Sequence, residues 1–278
     1  MINYTIKFFN LDILKIRNIR LHETTETNRL RNLFERIAGS KYLMNPVIVG
    51  KVGNDLLLID GANRLSTLAE IGCKLIIAQI IDYNNPKIKL KNWNHLVYDI
   101  KLNDLMNIAE KAGLKSDITG RGEAKKIFTS KNNFIIASEI KNGKTLIIRL
   151  SSDFKDRIKE LHNFTKFYFG VYDFDRSEQE IPIKDLKNFS RKSGILIQFP
   201  KFSKRQIVNI SKSRDKLPAG ISRHILDNRV LHVRYDINKL KDNRNIEGKK
   251  RDLDRYLLSK IDNNKVRQYR ESVIVFDE

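Results

Sequence analysis

Cysteine occurs once in this chain, at Cys73, which excludes an internal disulfide and any multi-cysteine metal site. Acidic residues are short as well: 33 Asp and Glu stand against 53 Lys and Arg, a formal net charge of +20. No apolar run approaches the roughly 20 residues that a membrane-spanning helix needs. There is no internal repeat and no low-complexity segment. The opening MINYTIKFFNLDILK does not follow the charged-then-apolar plan of a signal peptide, so a cytoplasmic protein is expected, with no membrane partner.

What remains is a chain of 278 residues, 41% hydrophobic, enough to bury a core in one large domain or two smaller ones. The excess of cations favours anionic partners: nucleic acid, nucleotides or phosphorylated metabolites. The basic residues are spread among many Asn and Ile, however, a composition that AT-rich coding also produces, so charge alone leaves the partner open.

Along the chain, YTIKFFNLDILKI (4–16) reads as an extended strand. Thr27 precedes a helical spacing of Leu30, Leu33, Phe34 and Ile37 that ends at Gly39. NPVIVGKVGNDLLLID holds two apolar β runs around GKVGND, a hairpin signal. Between Gly61 and Gly72, the spacing of Leu65, Leu68, Ala69 and Ile71 predicts a helix, and KLIIAQII (74–81) predicts a buried strand. Residues 1–95 thus form one compact α+β unit. Beyond it, 96–113 is helical by pattern and SDITGRGEAKK reads as a polar, mobile loop. Strands follow at NFIIASEI, TLIIRL, ILIQF, RVLHVRY and ESVIVF, with helices over 153–169, Ser203–Lys212 and 247–262. Residues 96–278 form a second α+β unit.

Three segments carry candidate chemistry. In LLLIDGANRL a strand ending at Asp60 turns through Gly61 into a helix, where free N–H groups and the helix dipole attract an anion. Arg64, one turn on, adds a charged donor, and Asp60 suits a phosphate carrying Mg²⁺ or a hydroxyl that needs orienting. The same spacing also fits an Asp helix cap with an arginine ion pair. In RLHET, Glu23 has the chemistry of a general base if it faces a substrate hydroxyl, and of a solvated surface group if it does not; His22 reads as a packing or capping residue. LPAGISRH (217–224) delivers Ser222, Arg223 and His224 from a Pro/Gly loop, suited to gripping a phosphate or to a plain surface turn. In NWNH, Trp93 fits either a base stack or the core.

NPVIVGKVGNDLLLIDGANRLSTLAEIGCKLIIAQII resembles the core of the ParB/sulfiredoxin-like superfamily, whose phosphate-binding box is Gly-x-x-Arg at a helix start. Gly61-Ala62-Asn63-Arg64 fits that box. The upstream LHE and downstream LPAGISR are shared with one branch, the free L-serine kinases, both ATP-dependent and ADP-dependent. The resemblance spans most of 1–95 and then 217–235. It implies Glu23 as the base toward the serine hydroxyl, and Asp60 as a second essential carboxylate beside the nucleotide phosphates and Mg²⁺. It further implies Gly61, Asn63, Arg64, Ser222, Arg223 and His224 as phosphate-binding residues. Trp93 and His95 match a Trp-x-His and become candidate contacts to substrate or nucleotide. Ala62-Asn63 stand where relatives often carry histidine before the arginine.

Other branches fit less well. Sulfiredoxin chemistry needs a cysteine in the box, and Cys73 lies beyond the helix. Chromosome-partition ParB proteins carry a doubled arginine and a helix-turn-helix domain, and neither pattern is present. A nuclease would need an acidic or histidine cluster for its metals. The expectation is therefore a free L-serine kinase using ATP or ADP with Mg²⁺, its alternative a ParB-like nucleotide-dependent DNA-binding regulator in which the basic surface matters.

Overall fold

The apolar runs VIV, LLLI and LIIA are nearly continuous, as expected for strands buried on both faces. In a computed structural model, which describes residues 6–25, 34–130, 132–141, 143–177 and 194–269, they form the middle of a five-stranded sheet. Its strands are β1 (Leu11–Lys15), β2 (Ile19–Arg20), β4 (Val47–Val52), β5 (Asp55–Asp60) and β6 (Leu75–Asp82), in the order β1-β6-β4-β5-β2. β4 and β5 are the antiparallel hairpin, turning at Gly53, where φ is +57°. β4–β6 and β2–β5 run parallel.

Alternation along each strand divides the runs between two cores. Val47, Val49 and Leu58 face one of them, together with α3 (Ala62–Glu70) through Leu65 and Leu68. Val233, Tyr235, Ile237, Leu240, Leu253 and Leu257 come back from the far end of the chain to close this core. Ile48, Leu57 and Ile59 face the other core, which they share with a second sheet.

That second sheet has six antiparallel strands in the order β12-β8-β13-β10-β11-β9. These are β8 (Asn94–Tyr98), β9 (Ser116–Thr119), β10 (Phe134–Glu139), β11 (Thr145–Arg149), β12 (Phe174–Ser177) and β13 (Gly194–Gln198). Helices α4 (Leu102–Lys111), α6 (Phe154–Thr165) and α7 (Lys204–Lys212) pack their apolar stripes into the shared core. Two short ladders tie the chain's ends to its middle: β14 (Ser222–Ile225) pairs with β7 (Lys89–Asn92), and β15 (Tyr235–Asp236) with β3 (Tyr42–Leu43). The α+β class holds.

Four sequence expectations are corrected. Residues 6–9 are a short helix, α1 (Ile6–Phe9), and only Leu11–Lys15 of the 4–16 segment is strand. Leu96 does not start a helix. Leu96 and Val97 are buried on opposite faces of β8, and the helix begins at Leu102. SDITGRGEAKK is not a loop. It holds β9 and the start of α5 (Arg121–Ser130), whose Ala124 is buried against the sheet. RVLHVRY forms no strand before Tyr235, since His232 and Arg234 take positive φ values that break the ladder. The helix cap at Thr27 and the strand at 271–276 lie outside the described residues; 34–38 is helical (α2), and α8 (Ile246–Asp262) is the charged helix expected near 247–262.

Candidate active site

The end of β5 is shaped for display. Ile48 of β4 pairs with Asp60, but the next pair is Val49 with Leu58, so Ile59 is an extra residue bulged out of the ladder. Such a bulge bends the strand and re-aims the side chain that follows. Gly61 then takes φ +100°, and a Cβ there would lie 2.8 Å from Val47 Cγ1 and 3.1 Å from the Arg64 guanidinium. Only glycine fits that turn. Gly61 is itself the cap of α3 and no side chain caps the helix start, so Asp60 is not a helix cap.

Instead Asp60 Oδ2 accepts from two arginines. Arg64 donates at 2.7 Å, and Arg229 at 3.3 Å. Arg64 is also oriented by the carbonyls of Pro46 (2.7 Å) and Asn45 (3.3 Å), which fix its guanidinium close to the Gly61 turn. Arg229 arrives on an irregular strap, residues 226–234. The buried Gln79 amide holds that strap by accepting from Val230 N–H (3.0 Å) and donating toward Asn228. Nothing in the spacing of LDNRVLHVRY sets Arg229 apart from other basic residues, so sequence reading missed it. Asn63 lies half-exposed on the first turn of α3.

Glu23 is met from the other side. β2 and β5 run parallel with Ile19 opposite Leu56 and Arg20 opposite Leu57, so Glu23 and Asp60 leave the sheet at the same end. A parallel bridge then joins Glu23 to Leu217: Leu217 N–H donates to His22 O and Thr24 N–H to Leu217 O, both at 2.8 Å. This brings the LPAGISRH loop onto the carboxylate. Ser222 N–H donates to Glu23 Oε1 at 2.6 Å and Gly220 N–H to Oε2 at 3.1 Å. Each carboxylate oxygen has two lone pairs, so one remains on each for a substrate donor.

The loop is held from behind. The Trp93 N–H donates to Ile221 O at 2.8 Å, on the same peptide whose N–H reaches Glu23. His95 is fully buried in an aromatic nest with Phe174 and Phe199. Its Nε2 faces Gly220 O at 2.9 Å, and since a carbonyl only accepts, that nitrogen carries the proton; Nδ1 then accepts from Tyr168 O–H at 2.8 Å. His95 therefore reaches the site through Gly220, not by facing a ligand. Gly220 takes φ +71°, and any Cβ there would collide with the Arg176 guanidinium.

His22 and His224 stand edge to face, 5.5 Å between centroids, with Tyr83 O–H 2.9 Å from His224 Nε2. Burial lowers the pKa of His22, against the pull of Glu23, and lowers that of His224 far below the ordinary histidine value. Both rings are neutral near pH 7. Burial pushes the Tyr83 phenol well up. Half-buried Arg223 lies 4.3 Å over the half-buried Trp93 ring, a cation–π contact.

Among the described residues no group of three or more His, Cys, Asp or Glu could hold a metal by itself. A separate groove of about 1200 Å³ lies toward the hairpin-turn end of β4 and β6, lined by Lys51, Asp82 and Lys250 among others, and none of the candidate residues borders it. On α8 three of the five cations are matched with acids: Lys250 with Asp12, Arg255 with Asp252, and Lys249 with Asp242. No helix of the described residues is long and apolar enough to cross a membrane.

No family model matches the chain. It is 25% identical over 243 residues to an ATP-dependent L-serine kinase of Staphylothermus marinus, covering 82% of this chain and 90% of that one. Its fold is that of a C-terminally truncated SbnI from Staphylococcus aureus, with a TM-score of 0.69 at 20% identity over 91% of this chain and 97% of the other. It is equally that of a free serine kinase variant in complex with AMP, with a TM-score of 0.70 at 15% identity over 84% and 94%. The chain is thus similar in sequence and in fold to proteins named as serine kinases.

Proposed function

We propose that the protein is a free L-serine kinase, a phosphotransferase that moves the terminal phosphoryl group of ATP or ADP onto the hydroxyl of L-serine. The observation that carries this reading is the meeting of Glu23, gripped by the 220–222 loop, with the Asp60–Arg64–Arg229 cluster at the same end of one sheet. A phosphorylated product needs a base for the acceptor hydroxyl and cations for the transferred group, and these are the two halves present.

In this reaction the serine hydroxyl oxygen attacks the terminal phosphorus, its proton passes to a free lone pair on Glu23, and the bond from phosphorus to the bridging oxygen breaks. The nucleotide leaves carrying that oxygen. Arg64 and Arg229, released in part from Asp60, face the phosphate oxygens, as do the uncapped N–H groups at the start of α3 behind Gly61 and the Asn63 amide. Ser222, Arg223 and His224 belong to the opposite wall. Ser222 and His224 are buried, so Arg223 is the residue of that wall that presents its charge outward, braced on Trp93. Catalysis here is chiefly positioning and charge neutralisation.

Mg²⁺ fits the donor set. Asp60 is a single part-exposed carboxylate whose ion pairs with Arg64 and Arg229 both use Oδ2, and Mg²⁺ is commonly held by one or two carboxylates together with substrate phosphates. Asp60 would hold the ion, whose chemistry is to neutralise phosphate charge. Cytoplasmic location follows as part of the same proposal.

The test is direct. The protein is mixed with Mg²⁺, L-serine and either ATP or ADP, and phosphorus NMR is used to look for O-phosphoserine. Product with one donor supports the reading and names the donor. No product with either, together with salt-sensitive binding to duplex DNA, would replace it by a ParB-like nucleic-acid-binding role. The ion pairing along α8 speaks against a single basic face of that kind.

A further inference from the structure

His22 sits between the two halves of the site and is used by neither. It is 5% exposed, and both ring nitrogens have partners: Nδ1 lies 2.9 Å from Leu58 O, and Nε2 lies 2.8 Å from Ser222 Oγ. The carbonyl of Leu58 can only accept, so Nδ1 carries the proton and Nε2 offers a lone pair. Ser222 must therefore donate its hydroxyl to Nε2. The direction of every hydrogen bond around the ring is fixed by one backbone carbonyl.

These partners matter because of where they lie in the chain. Leu58 is two residues before Asp60, next to the bulge that re-aims it. Ser222 is the residue whose N–H meets Glu23 Oε1 at 2.6 Å. Glu23 follows His22 directly. One imidazole thus spans the strand that presents Asp60, the loop that orients the base, and the segment that carries the base.

We propose that His22 is a positioning residue for phosphoryl transfer: it locks Ser222 so that the 221–222 peptide holds Glu23 with its free lone pairs turned toward the acceptor hydroxyl. The role rests on the serine-kinase reading above. It requires an uncharged ring with an acceptor at Nε2, not a proton donor or a ligand contact. A misplacement of about 1 Å in such a base costs on the order of 100-fold in rate.

The experiment compares His22→Asn, His22→Gln and Ser222→Ala with the wild-type enzyme, measuring kcat and the KM values for nucleotide and serine. Asn places an amide near Nδ1 and keeps only the bond to Leu58. Gln reaches the Nε2 position and keeps an acceptor for Ser222. The expected pattern is a loss of kcat of about 100-fold in His22→Asn, with the nucleotide KM within about twofold. His22→Gln should recover most of that loss. Ser222→Ala should match His22→Asn, and the double variant should be no worse than either, since both cut one link. Thermal melts of each variant accompany the kinetics.

Two results would overturn the role while leaving the kinase reading in place. One is His22→Asn with wild-type kcat. The other is a loss in which Gln and Asn fall equally in step with their melting temperatures, the mark of a ring that only fills space. If the wild-type enzyme makes no phosphoserine, the kinase reading fails and this role fails with it.

Discussion

Glu23 carries two backbone N–H donors on its carboxylate, one per oxygen, and neither donor can be mutated away. The side chain itself is the accessible test. Glu23→Gln keeps the size and still accepts at one atom, but it cannot take a proton. We expect kcat to fall by about 10²–10⁴-fold, while nucleotide affinity in equilibrium titration stays within a factor of about two of wild type. A variant that retains full turnover would remove Glu23 from the chemistry. Gly61 offers a second test of different kind. Gly61→Ala places a Cβ in a left-handed turn and 2.8 Å from Val47, so it should cost about 1–3 kcal/mol of stability in denaturant melts and lower activity by displacing Arg64. Both residues were visible in the sequence, because LHET and IDGANR are local motifs. His22, His95 and Arg229 were not visible in their roles. Their partners lie 36, 125 and 169 residues away, and no local pattern records such distances.

At the scale of elements, the strap 226–234 is the unit that decides whether Arg229 reaches Asp60. It has no ladder of its own, and Gln79 supplies the hydrogen bonds that a neighbouring strand would otherwise give. Gln79→Leu should remove the hydrogen bond of the half-buried Val230 N–H, at about 0.5–1.5 kcal/mol. Hydrogen exchange should then rise at 228–230, and nucleotide affinity should weaken, as it should also in Arg229→Ala. Unchanged exchange there would mean that the strap is held by Val233 and the β15–β3 ladder alone. The same segment shows why element reading failed where it did. RVLHVRY alternates like a strand, yet a strand exists only with a partner, and none of the sheet edges is offered to it before Tyr235. The reverse happened at SDITGRGEAKK, where Gly120 and Gly122 read as breakers although Ala124 and Ile127 find the second sheet to cover. Runs such as LLLID, LIIAQII and TLIIRL were legible because burial on one or both faces dictates their composition.

Across the whole molecule, His22 and His224, buried and neutral, make the fold sensitive to acid. Their folded pKa values lie below the unfolded value of about 6.5, so as pH falls past that point the unfolded chain takes up protons and the native chain does not. Stability present above pH ~6.5 is therefore lost on the way down to the folded pKa values. Each histidine contributes a slope of up to about 1.4 kcal/mol per pH unit in that window. Urea midpoints measured between pH 7.5 and 5.5 should decline, and the decline should be shallower in His224→Asn. A flat profile would show that the rings are not held neutral. The closing of the first core by Val233 to Leu257, and the bond between residues 22 and 222, also make the protein a late-assembling one. Contacts of such sequence separation carry a high loop-closure cost and slow folding.

The placement of Trp93 has an optical consequence. It is the sole tryptophan of the chain, half-buried, with the Arg223 guanidinium over its ring and its backbone N–H fastened to the loop that grips Glu23. Light at 295 nm therefore excites this one position and nothing else in the protein. Under the proposed kinase reading, a nucleotide phosphate that draws Arg223 off the indole would change the field on the chromophore. The emission of the unlabelled protein would then serve as a stopped-flow signal for loading of the proposed site, without any dye attached.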